Sequence, residues 1–82
     1  MPDQIYPRVL RDFGHAVRRL RKGRGWSQEA FADRVGVHQT YMGDVERGER
    51  NVGLVNLARI SVALDMPLSA LMAEVERLQH DP

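Results

Sequence analysis

Apolar residues recur at spacings of three and four along most of the chain, which is the repeat of a helix with one buried face. Val9, Phe13, Val17 and Leu20, widened by Leu10 and Ala16, form the first such stripe. It predicts a helix from about Pro7 to Lys22, preceded by a loose arm over Met1 to Tyr6 and ended by Gly23 and Gly25. Pro7 suits the first turn, where its missing amide has no intrahelical partner to lose. Ser27 is a good N-cap, so a second helix should open at Gln28; Phe31, Ala32 and Val35 give its apolar face and Gly36 its exit. Val37, Tyr41, Met42 and Val45 resume the period at once, and Gly48 closes a third helix. Two short amphipathic helices joined by so few residues must pack at a steep angle.

Beyond Asn51 the pattern continues through Leu54, Leu57, Ala58, Ile60, Val62, Ala63 and Leu64. A helix this apolar is expected to be buried on most of its surface, which makes it the structural centre of the fold. Gly53 serves as its N-cap, Asp65 sits where it must end, and Pro67 opens a fifth helix running to about residue 79. The fifth stripe, Leu68, Leu71, Met72, Val75 and Leu78, is longer than one small core requires. Val75 and Leu78 are expected to project past that core. Leu68, Met72, Val75 and Leu78 are therefore assigned to a face on which two copies of the chain pair about a two-fold axis. The fold class is all-α: five helices in one domain, with a core over about residues 7–73.

With 82 residues and no Cys, this core has neither disulfides nor thiolate metal sites to assist it. Oligomerisation is the remaining usual source of extra burial. No signal-peptide pattern is visible, and the uncharged stretch Asn51 to Ala58 is far too short to span a bilayer, so a soluble, cytoplasmic protein with no membrane partner is expected. Net charge is only +1, but it is unevenly placed: +5 over residues 1–25, then −2 over 26–50 and −2 over 51–82. Arg18, Arg19, Arg21, Lys22 and Arg24 crowd the end of the first helix. They fit a solvated, dipole-favoured helix end, and equally a set of phosphate contacts beside the helix pair that follows.

That helix pair carries the chemistry. His38, Gln39, Thr40, Gly43 and Asp44 lie on the polar side of the third helix, where amides and hydroxyls can bond to base edges in the major groove. This is the sequence form of a helix-turn-helix. Tyr41 is read as part core and part interface, with its hydroxyl towards phosphate.

Ser27-Gln28-Glu29, Val35-Gly36-Val37, Tyr41-Met42 and Val45-Glu46-Arg47-Gly48-Glu49-Arg50-Asn51 resemble the helix-turn-helix family of phage repressors and Cro proteins, the xenobiotic-response-element group of bacterial regulators. The resemblance spans roughly residues 9 to 73. Within it the Glu-Arg-Gly-Glu-Arg-Asn segment looks most like the controller proteins of restriction-modification genes. It implies that Gln28, and with it Ser27 at the helix start, meets DNA backbone, and that Gln39, Thr40 and Asp44 face the bases. Arg47, Arg50 and Asn51 are then backbone contacts. It further implies an ion pair between Arg21 and Glu46 that fixes the first helix on the third. His38 stands where the family usually has Ser or Thr, which leaves its role open between DNA and solvent. Gly43, destabilising inside a helix by about 1 kcal/mol relative to Ala, suits a close approach of helix to DNA. Asp44 repels phosphate, yet a carboxylate can accept from cytosine N4 or pair with Arg47.

The expected function is sequence-specific regulation of transcription by a homodimer on two-fold symmetric double-stranded DNA, with no cofactor, metal or small-molecule ligand. An enzyme is disfavoured, because His15, His38 and His80 stand in unrelated places and no nucleophile or metal spacing is present. The alternative of another class is a repressor-fold module, or an antitoxin, acting mainly through a protein partner.

Overall fold

The computed structural model describes residues 5–80. Five helices follow one another: α1 (Ile5–Gly23), α2 (Gln28–Val35), α3 (Gln39–Glu46), α4 (Leu54–Ala63) and α5 (Leu68–His80). Of the expected N-terminal arm, residues 1–4 lie outside the described residues; Ile5 and Tyr6 already belong to α1, and Pro7 stays within its first turn.

The short helices are delimited by local chemistry. The Ser27 hydroxyl accepts from the Ala30 amide at 3.0 Å, and Gly36 leaves α2 in the left-handed conformation at φ 87°. Gly48, at φ 74°, makes the corresponding turn after α3 and also touches α1, because a Cβ there would lie 2.8 Å from Arg11 Cα. Phe13, Ala16 and Val17 of α1, Phe31, Ala32 and Val35 of α2, Met42 and Val45 of α3, Ile60 of α4, Leu64, and Leu71 and Val75 of α5 form the core. Trp26 stacks on Phe31 at 5.8 Å between ring centroids, and Arg34 and Arg24 lie over its ring. The crossing of α1 and α3 depends on Gly14, where a Cβ would sit 2.5 Å from the Val45 carbonyl oxygen. No side chain fits there, and α3 is thereby drawn against α1.

Two expectations about the C-terminal half are corrected. Val75 does not project past the core: it is 1% exposed, and Leu78 is partly buried against the core. The reason is the length of α1, whose 19 residues run alongside α5, with Arg8 Nη2 donating to the Gln79 carbonyl at 2.6 Å. Leu68 and Met72 are likewise partly buried against the core. Conversely α4 is not buried on most of its surface. Leu54, Val55 and Val62 are 71%, 66% and 76% exposed. Its inner face, Leu57, Ile60 and Ser61, meets the core, while Leu54, Val55, Ala58 and Val62 line an outward apolar groove with Arg34 and Arg59 at its edge. No single helix among the described residues is long and apolar enough to cross a membrane.

Candidate nucleic-acid interface

α3 is held on one side and open on the other. Met42, Val45 and Glu46 are buried, whereas Gln39 and Thr40 in the first turn and Arg47 just past the helix are exposed. The 3.6-residue period separates these sets, and short flanking turns leave α3 prominent on the surface.

The inner side is fixed by charge as well as packing. Arg21 grips Glu46 with two parallel hydrogen bonds, Nε to Oε2 at 2.7 Å and Nη2 to Oε1 at 2.9 Å, and its Nη1 donates to the Trp26 carbonyl at 2.9 Å. Both side chains are buried, so the pair orients α3 on α1 as the resemblance implied. Removing one partner leaves an uncompensated buried charge, a loss of the order of 3–5 kcal/mol. Glu46 extends this network outward: Gln28 Nε2 donates to its Oε1 at 3.2 Å. The amide that opens α2 is therefore tied to α3. Gly43 leaves space for it, since a Cβ there would lie 3.3 Å from Gln28 Oε1 and 3.2 Å from Arg47 Nη1. Protein side chains, before any DNA, already use the room that this glycine provides.

His38 is the N-cap of α3. Its Nδ1 accepts from the Thr40 amide at 3.1 Å, the contact that Ser or Thr would make, so the ring caps the helix while remaining exposed. The Tyr41 hydroxyl accepts from Asn56 Nδ2 at 3.0 Å, and the Arg50 guanidinium lies 5.0 Å from the ring centroid. Asn56 escaped the sequence reading because nothing local ties it to Tyr41. Asn51 is exposed at the start of the loop into α4.

Asp44 is engaged by two arginines: Arg47 Nη2 donates to Oδ1 at 2.5 Å and Arg50 Nη2 to Oδ2 at 3.1 Å. Arg47 Nε also donates to Glu49 Oε2 at 3.1 Å. The hydrogen bond and charge of Glu49, opposed by desolvation and then reinforced by Asp44, hold the Arg47 guanidinium above its ordinary pKa. Arg47 thus stays cationic, and it borders the exposed face of α3 paired with carboxylates.

The basic cluster at the end of α1 divides. Arg21 is internal; Arg24 donates to the Leu20 carbonyl at 3.1 Å and to the Leu64 carbonyl. Arg18, Arg19 and Lys22 are exposed and have no hydrogen-bond or ion-pair partner among the described residues. His15 joins them on the same face of α1, a grouping to which its i−3 spacing from Arg18 was the available signal.

Known proteins with this arrangement bear on its meaning. A helix-turn-helix family model matches residues 17–71. The control protein C.MunI of a Mycoplasma species is 42% identical over 66 residues, spanning 79% of this chain and 89% of its own length. The control protein C.BamHI of Bacillus amyloliquefaciens is 47% identical over 53 residues, 63% of this chain and 65% of the relative. The crystal structure of the restriction-modification controller protein C.AhdI from Aeromonas hydrophila has a TM-score of 0.73 at 45% identity, covering 76% of this chain and 94% of that one. The chain belongs to the helix-turn-helix family of repressor-like, DNA-binding transcriptional regulators, which are not enzymes, and it resembles the restriction-modification control proteins within that family.

Proposed function

We propose that this protein binds a two-fold symmetric operator as a homodimer, one α3 entering the major groove at each half-site. Gln39 and Thr40 read base edges. Gln28, Arg47, Arg50 and Asn51 hold phosphates, with Ser27, His38 and Tyr41 fixing the helix ends and sides from which they act. Asp44 holds Arg47 and Arg50 in the free protein, so both arginines exchange a carboxylate for a phosphate on binding. The observation that carries this reading is the exposure of Gln39 and Thr40 on a helix whose other side is locked by Met42, Val45 and the Arg21–Glu46 pair.

The homodimer is assigned to the outward face of α4. Leu54, Val55, Ala58 and Val62 form an apolar strip, and a strip of this kind on a small soluble domain marks an interaction surface. A second copy is the occupant that this reading requires: one recognition helix touches only a few base pairs, and two-fold pairing places a second on the same duplex, where its binding is effectively intramolecular. Arg34 and Arg59 line the same groove, and the Arg34 guanidinium is held over the Trp26 ring. Control of restriction-modification genes, as in the relatives named above, is the proposed setting.

Selecting bound duplexes from a random pool supplies the preferred site, on which two substitutions are compared. Gln39→Ala should cost roughly 1–3 kcal/mol there and little on random duplex, because it removes base readout. Gln28→Ala should weaken both by a similar factor, because a phosphate carries no base identity. Equal losses on the two duplexes for Gln39→Ala would contradict the assignment.

A further inference from the structure

The geometry points to a second DNA contact surface: His15, Arg18, Arg19 and Lys22 form a track along α1 for the phosphates of duplex lying outside the half-site. This rests on the DNA reading of α3 and extends the footprint beyond it.

The four residues recur at spacings of three, one and three, which stacks them on a single helical face. That face is one wall of a shallow groove whose other wall is Leu78 of α5, and no carboxylate lines it among the described residues. Three permanent cations placed together, with no counter-charge among the described residues, repel one another, an arrangement suited to a polyanion. Arg21 and Arg24, their neighbours in sequence, are spent on internal bonds; Arg18, Arg19 and Lys22 are not.

Continuity with α3 selects DNA over an acidic protein as the polyanion. Arg18 lines this groove and also the cleft formed with Arg21, Gln28, Gly43, Glu46 and Arg47 beside the recognition helix. It is the point at which the two surfaces join. Gly14 and Arg21 face α3, and Lys22, His15 and Arg19 follow successively further round α1, so the track leads away from the bases that α3 reads. From His15 to Lys22 the helix rises about 10 Å, the axial span of about three nucleotides of one strand at ~3.4 Å each. An acidic protein segment would ordinarily add apolar anchors, and among the described residues Leu78 is the only apolar side chain in the lining.

The test compares the preferred site flanked by two base pairs with the same site flanked by ten, using the unmodified chain and an Arg19→Gln/Lys22→Gln variant. The unmodified chain should bind the longer duplex roughly 10- to 100-fold more tightly at 0.1 M salt, as expected when each phosphate contact contributes about 0.9 to the salt slope. The variant should lose that gain and keep the affinity of the unmodified chain for the short duplex. Lys22→Arg should bind both like the unmodified chain. Equal weakening of the variant on both duplexes would overturn the track in favour of a general field effect. No change on either would overturn it in favour of an acidic protein partner. Failure of the unmodified chain to prefer any duplex would instead refute the reading of α3, which separates the two.

Discussion

Helices α4 and α5 are both rich in Leu, Val and Ala, and each packs on the other, yet they dispose of their apolar residues in opposite ways. α5 lies along α1 and inserts Leu71 and Val75 fully into the core, with Leu68, Met72 and Leu78 at its margin. α4 packs on α2 and α5 through one face only, so Ile60 is buried while Leu54, Val55 and Val62 face outward among the described residues. Apolar periodicity says which residues seek burial. The neighbouring elements decide whether the chain itself provides it.

Val75→Asp is the severest way to probe the difference. It buries an unpaired charge and should cost roughly 4 kcal/mol or more, comparable with the whole stability of a domain this small. Loss of helical circular dichroism at room temperature, or a fall in denaturation midpoint of that size, checks it. Near-normal stability would mean that α5 is exposed as the sequence pattern had implied. Leu78→Ala probes the margin of the same helix. It should cost about 1–2 kcal/mol in urea melts and leave self-association unchanged, because Leu78 packs within its own chain. Dissociation of a dimer by this change would return the interface to α5.

Val62→Asp should have the smallest effect on the stability of the monomer, within about 0.5 kcal/mol, since its side chain touches water in the isolated chain. The comparison must be made at concentrations where both proteins are monomeric, because association itself raises apparent stability by mass action. A loss above 2 kcal/mol under those conditions would show that α4 has no free face.

How much was legible in the sequence follows from how local each determinant is. Ser27, Gly36, Gly48 and Gly53 delimit helices through their own backbone or the next turn, and these boundaries were readable to within a residue or two. The exposure of His38, Gln39 and Thr40 at the start of α3 was readable for the same reason. The Arg21–Glu46 pair, 25 residues apart, came only through family resemblance. The link from Gln28 through Glu46 to α3, the Asn56–Tyr41 bond and the His15 contribution to the basic face depend on how helices pack, and no local rule reports them. α4 departs from its expected burial because an apolar pattern nearly all round a helix fits a buried helix and a half-exposed one alike. Its residues 54, 55, 58 and 62 form a face separate from 57, 60, 61 and 64, a two-sided pattern that also describes a helix with one face kept for a partner.

The central claim is that the exposed face of α4 pairs two chains so that two copies of α3 can reach one operator. Sedimentation equilibrium at tens of micromolar, for the unmodified chain and for Val62→Asp, tests it most directly. The account predicts a species of twice the 9.4 kDa chain mass for the first and a folded 9.4 kDa species that has lost operator-specific binding for the second. An unmodified chain that sediments at 9.4 kDa, or a Val62→Asp chain that still dimerises, would contradict it.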